Sequence, residues 1–113
     1  MAQPWHDLAK KTLGPDDTIE KTYSCTFNKQ NGYLCLGNKK MVFVNVKGFL
    51  RKNYEILLEA PYNEVSEVKL ASRFSIDLSH NDKTHQIEVS DIPAKIVVEG
   101  IENMIKGSPL DPM

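Results

Sequence analysis

Hydrophobic positions along the chain change period twice. From Pro4 to Leu13 they follow a weak helical stripe (Trp5, Leu8, Ala9, Thr12) that Gly14-Pro15 ends. A helix this short persists only if it docks on something, with Trp5 as the natural anchor. From Thr18 the period becomes two: Tyr23, Cys25 and Phe27 alternate with Thr22, Ser24 and Thr26, the mark of a half-buried strand. Asn28 to Gly32 reads as a turn, Leu34 and Leu36 as the inward side of the next strand, and Gly37-Asn38 as a second turn. Met41 to Val46 is a third strand, and Lys47 to Asn53 a loop around Gly48. Strands over Tyr54–Glu59, Val65–Leu70, Phe74–Leu78 and Thr84–Val89 bring the total to seven. The period then returns to the helical one, with Ile92, Ile96, Val97, Gly100, Ile101, Met104 and Ile105 on one stripe. Asp91 is placed to cap that helix, Pro93 fits its first turn, and Gly107 ends it.

This order predicts an α+β fold: a seven-stranded antiparallel β-sandwich or small barrel, capped by the C-terminal amphipathic helix and preceded by a short N-terminal helix. With 113 residues there is room for one domain. Residues 1–17 form the N-terminal helix and linker, 18–106 the domain, and 107–113 a tail or the start of a linker. Strand-interior residues such as Phe43, Leu57 and Ile76 fill the interior, which argues against a carrier of small ligands.

The hydrophobic register also bears on the two cysteines, Cys25 and Cys35. Placing Phe27 opposite Leu34 and Cys25 opposite Leu36 keeps all four on one face and sends Cys35 to the other. A slip of one residue would pair the thiols but turn both leucines outward. Free thiols are expected.

The sequence resembles the pleckstrin-homology-like superfamily over about Thr18 to Lys106. GYLCLGNKKMVFV (Gly32–Val44) is similar to the strand, Asn-Lys turn and strand of the bacterial and archaeal PH and GRAM-type branch. GFLRKNYEILLEAPYNEVSEVKL (Gly48–Leu70) resembles its next loop, fourth strand and the junction that follows. RFSIDLSHNDKTHQIEV (Arg73–Val89) resembles its sixth and seventh strands. The resemblance implies a non-enzymatic docking or adaptor module that binds a protein partner, as the ubiquitin-binding GLUE domains of endosomal sorting complexes do. As an alternative it implies weak electrostatic binding to anionic membrane lipids through a basic loop rim. Phosphoinositide-binding members carry several Lys or Arg in the first hairpin, where this chain offers Lys29 alone.

Charge sharpens that alternative. Lys plus Arg number 14 against 15 Asp plus Glu, a balance unlike that of a nucleic-acid binder. Six of the basic residues lie between Lys29 and Lys52, a stretch with no acidic residue, so the remainder has eight basic against 15 acidic and a net charge of −7. Lys29 and the 47–52 loop share one rim of a meander, while Lys39 and Lys40 sit at the opposite end. Lys29, Lys47, Phe49, Leu50, Arg51 and Lys52 are therefore the candidate anion- or membrane-binding residues. Phe49 and Leu50 read either as an apolar wedge below the charges or, the preferred reading, as a lid over the barrel mouth.

No catalytic residues are assigned, since the chain lacks a Gly-rich phosphate loop, an HExxH or a G-x-S-x-G. His80, Asp82 and His85 read as a polar hairpin tip, so no metal site and no cofactor are expected. No apolar run reaches membrane-span length, and MAQPWHDLAKK has no signal-peptide core. A cytoplasmic protein, at most peripheral at a membrane, is expected.

Overall fold

The first hairpin turns in two residues, Asn28 and Lys29, both in the left-handed backbone region (φ 50° and 72°). A two-residue turn of that handedness matches the twist of the strands it joins. The computed structural model describes residues 4–48 and 51–106. Strand β1 (Lys21–Phe27) thus pairs with β2 (Gln30–Leu36) so that Phe27 faces Gln30, Cys25 faces Gly32 and Tyr23 faces Leu34. This corrects the expected pairing of Phe27 with Leu34: Gln30 to Gly32 belong to the strand, not the turn. The correction is an even number of residues, so every side chain keeps its expected face. Gly32 continues the strand because a Cβ there would run into the Val44 carbonyl and the Phe43 ring.

The remaining elements are β3 (Lys40–Lys47), β4 (Asn53–Pro61), a 3-10 turn (Tyr62–Glu64), β5 (Val65–Ser72), β6 (Ser75–His80) and β7 (Lys83–Glu88). Helix α1 (Pro4–Leu13) precedes the sheet and α2 (Ala94–Lys106) follows it. The strands form one antiparallel sheet in the order β4-β3-β2-β1-β7-β6-β5. Neighbours in space are neighbours in sequence everywhere except at β1 and β7. Only two register pairs, Thr26 with Glu88 and Phe27 with Ile87, join those strands, and the sheet folds over on itself there.

Inside the fold lie Phe27, Leu34, Leu36, Met41, Phe43, Ile76, Leu78 and Ile87, closed off by Val97 and Ile101 of α2. Helix α2 packs on β5 and β6. Its buried stripe is Ala94, Val97, Val98, Gly100 and Ile101, so Val98 takes the place expected for Ile96 and Ile105, which are 47% and 39% exposed. The helix begins three residues past Asp91. Its first N–H, that of Ala94, is accepted by the Arg73 carbonyl (2.8 Å), so the β5–β6 turn stands where a side-chain cap was expected. Gly107 lies outside the described residues.

The outer face of the first strands is covered too. Ala9 and Leu13 of α1 bury Cys35, Val42 and Val44, and the Trp5 ring stacks on Tyr33 (centroids 3.9 Å apart, 13° between planes). Strand β3 is therefore sandwiched, with Met41 and Phe43 facing the core and Val42 and Val44 facing α1. That is why it reads as a continuous apolar run. A bulge adjusts β4 to the same two-sided burial: Phe43 opposes Leu58, Val44 opposes Ile56, and Leu57 is the extra residue. Tyr54 and Ile56 consequently face α1, whereas Leu58 and Ala60 face the core.

Candidate functional site

Among the cations singled out in sequence, Lys29 occupies the tip of the first hairpin. The tip is pinned to β7: Asn28 N–H donates to the Gln86 carbonyl (2.7 Å), and Gln86 N–H donates to Asn28 Oδ1 (2.8 Å). Strand β3 runs antiparallel to β2 with Gly32 opposite Asn45, which puts the β3–β4 loop at the same end of the sheet as this tip. Arg51 and Lys52 are exposed in that loop. Lys47 differs from its neighbours, because its Nζ lies 2.9 Å from Glu55 Oε1 across the β3–β4 ladder, and the pair is locally neutral. Lys40, at the opposite end, is likewise paired with Glu59. Phe49 and Leu50 lie outside the described residues.

The thiols and imidazoles are held for structural ends. Cys25 faces the core and Cys35 faces α1, and burial pushes both thiols up to about 12. At neutral pH both are therefore protonated thiols and poor nucleophiles. The reading of the histidines as a polar tip is corrected by their packing. His80 is 7% exposed with Nε2 3.3 Å from Glu64 Oε1, and the His85 ring tilts against Phe27 at 4.8 Å. A tip residue that opposes Val65 in the β5–β6 ladder is pulled under the 3-10 turn, which the linear sequence does not reveal. Among the described residues, no group of three His, Cys, Asp or Glu side chains is arranged to hold a metal ion.

A different surface was not singled out in sequence. Among the described residues, strand β5 ends the sheet and pairs with β6 alone. Bulges near both its ends leave Glu67 to Leu70 as its regular stretch. Helix α2 lies beside this edge, and a cleft of about 330 Å³ opens between Val65–Val68 on the strand and Glu102, Ile105 and Lys106 on the helix. Its floor is apolar (Val65, Val68, Ile105) and its helix wall carries one charge of each sign. Leu70 extends the apolar strip and is 46% exposed. The chemistry on offer is an open row of backbone donors and acceptors beside a shallow apolar trench, a surface for an extended segment. The individual strand was legible, but its place at the sheet edge depends on β4 and β5, neighbours in sequence, not pairing with each other.

No protein-family model matches this chain, and a search of curated proteins finds no match. Solved structures do match. The N-terminal PH domain of Vps36 superimposes with a TM-score of 0.58 at 11% identity, covering 80% of each chain. The C-terminal domain of an unknown protein from Leishmania infantum superimposes with a TM-score of 0.61 at 14% identity, covering 88% of this chain and 96% of that one. At such identities the likeness is one of fold. The architecture is pleckstrin-homology-like, with seven antiparallel strands and a C-terminal helix.

Proposed function

We propose that this chain is a non-catalytic docking module that takes a protein partner along the β5 edge and the cleft beneath α2. The observation that carries the reading is the unpaired β5 edge lying beside exposed apolar groups of β5 and α2, Leu70 and Ile105. Strand addition supplies affinity through the backbone, and the adjoining cleft supplies selectivity through side chains. A ubiquitin-like domain is the first partner to test, following the resemblance to GLUE domains. The experiment is a titration of ¹⁵N-labelled protein with ubiquitin and with proteins captured from cell extract. The expected result is shifts confined to β5 and α2, with binding at least tenfold weaker in the double variant Leu70→Lys, Ile105→Lys and little change in Tm. Binding that survives both substitutions rejects the reading.

The alternative is contact with anionic lipid through Lys29, Arg51 and Lys52. One feature supports it: among the described residues, no carboxylate pairs with any of these three, and they share one end of the sheet. Each charge contributes about 1 kcal/mol near an anionic surface, and the field decays over about 8 Å at physiological salt. Lys47 adds little, since Glu55 offsets it. Vesicle binding by this route is weak, lost at high salt, indifferent to the headgroup and abolished by changing the three residues to Ala. Tight, salt-resistant binding to a single headgroup contradicts it.

A further inference from the structure

The hairpin beside β5 decides which of its backbone groups are free. His80 and Lys83 flank a two-residue turn at Asn81 and Asp82, both in left-handed backbone (φ 53° and 63°). Residues flanking such a turn exchange their backbone hydrogen bonds, and the pattern alternates along the ladder. Even-numbered residues of β6 therefore direct N–H and C=O to β7, and odd-numbered ones direct theirs to β5. Asp77, opposite Lys69, and Ser79, opposite Glu67, are the residues that bond to β5 in its regular stretch. Val68 lies between them, opposite Leu78, and its N–H and C=O point outward from the sheet edge. Among the described residues no strand lies on that side.

The side chains alternate about the same residue. Val68 and Leu70 oppose the core residues Leu78 and Ile76 and so lie on the inner face, whereas Glu67 and Lys69 lie on the outer one. Both charged residues are exposed, and among the described residues neither belongs to an ion pair. They stand one position to either side of Val68, with opposite sign. An edge of this kind is its own complement. Rotated half a turn about an axis at Val68, a second copy sets Glu67 opposite Lys69, Val68 opposite Val68, and Lys69 opposite Glu67. The Val68 pair exchanges two backbone hydrogen bonds, so the charged pairs fall at the adjoining positions, where opposed side chains come closest. Each Lys69 then lies between Asp77 of its own sheet and Glu67 of the second copy. The same rotation brings Leu70, 46% exposed, up to Ser66 of the second copy, at the mouth of the cleft lined by Val65, Val68 and Ile105.

We propose that this chain forms an antiparallel homodimer through β5, with its two-fold axis at Val68 and the two sheets joined edge to edge. Charge complementarity selects the partner: a foreign strand has to supply the matching order of charges, and a second copy supplies it by symmetry. Bulges near both ends of β5 leave Glu67 to Leu70 as the paired stretch, so the contact is small and the dimer exchanges with monomer as concentration changes. The inference goes beyond the docking reading and does not rest on it, because a second copy on β5 excludes any other strand from that edge.

The experiment is analytical ultracentrifugation of the full chain from about 10 µM to about 1 mM, the span in which a weak association shows. The expected result is a monomer at the low end and a growing share of dimer at the high end. Glu67→Lys sets like charges against each other on both sides of the axis, and Lys69→Glu does the same with the opposite sign. Each weakens the dimer at least tenfold, with little change in Tm because both positions are exposed. The double variant Glu67→Lys, Lys69→Glu restores opposite charges and dimerises like the original chain. An equal mixture of the two single variants forms a heterodimer at least tenfold tighter than either variant with itself, a response that only an antiparallel pairing about Val68 produces. The proposal is overturned if the original chain stays monomeric over the whole range, if the double variant does not recover the dimer, or if the mixture forms no heterodimer. A monomeric chain that still binds ubiquitin through β5 overturns this inference alone. A dimer with the expected charge responses, in a chain that binds no ubiquitin even when dilute, supports it and counts against the docking reading.

Discussion

The Asp17 carboxylate accepts the backbone N–H of Asn38, 21 residues further along the chain, at 2.7 Å. The same oxygen accepts Thr18 N–H at 2.7 Å, and the second oxygen accepts Lys39 N–H at 3.1 Å. Asp17 is 4% exposed, and Gly37 leaves the space it fills: a Cβ on Gly37 would lie 2.9 Å from Asp17 Oδ2. One buried side chain thus ties the segment between α1 and β1 to the β2–β3 turn, and helps hold α1 on the outer face. Asp17→Ala leaves three N–H groups without this acceptor. The expected loss is about 2–4 kcal/mol, in the range for hydrogen bonds to a charged group that leave buried donors behind. Asp17→Asn, which keeps one acceptor oxygen, loses less. Urea melts that show under 0.5 kcal/mol for the alanine variant mean that the tie does not hold the fold.

Helix α2 is expected to behave as core. Ile101 is fully buried, so Ile101→Ala costs about 2–5 kcal/mol. Ile96→Ala and Ile105→Ala, on exposed positions of the same helix, cost under about 1 kcal/mol. Equal losses for all three would mean that the helix is rotated from its observed stripe.

Gly32→Ala is expected to be costly in spite of its place in a strand, where glycine ordinarily weakens packing. The added methyl meets the Val44 carbonyl, which is backbone and cannot step aside like a side chain. A loss of about 1–3 kcal/mol or more is expected by denaturant titration. A gain in stability would rule out the close approach of β2 and β3.

The cysteines are expected to titrate as two free thiols per chain once the protein is unfolded without reductant. Before unfolding they react slowly, because both are buried and their thiols are raised to about 12. Absence of free thiols would require β1 and β2 to pair three residues out of their observed register, in which Cys25 faces Gly32 and Cys35 faces Thr22.

His85 gives the fold a pH dependence. Burial, and then the neighbouring His80 and Lys83, hold its imidazole below the usual histidine value of 6.5. Its Nδ1 lies 3.2 Å from Asn28 Nδ2, and since Asn28 Oδ1 already accepts Gln86 N–H, Nδ1 is the acceptor. Folding favours the neutral ring, so its contribution is full above pH 6.5. It is lost as pH falls below that value and through the lower folded midpoint. An NMR titration is expected to place the His85 midpoint below 6.5. The stability lost between neutral and mildly acidic pH is expected to shrink in His85→Phe, and an unchanged pH profile for that variant would refute the assignment.

By itself the sequence determined the elements and which side of each strand faces inward. A period of two assigns faces through side-chain chemistry alone, and faces survive any even change of register. That is why Tyr23, Cys25, Phe27, Leu34 and Leu36 lie inward although the first hairpin pairs them differently from the expectation. The register itself depended on Asn28 and Lys29 adopting left-handed backbone, with Asn28 held by Gln86, a residue 58 positions away. That Lys29, Arg51 and Lys52 lie at one end of the sheet was legible, because the turns are local and alternate hairpin turns of a meander fall at the same end. Neutralisation of Lys47 by Glu55 was not, since it follows from the β3–β4 pairing. The open edge of β5 was beyond reach, because β4 and β5, neighbours in sequence, end up at opposite ends of the sheet, while β1 pairs with β7 some sixty residues away.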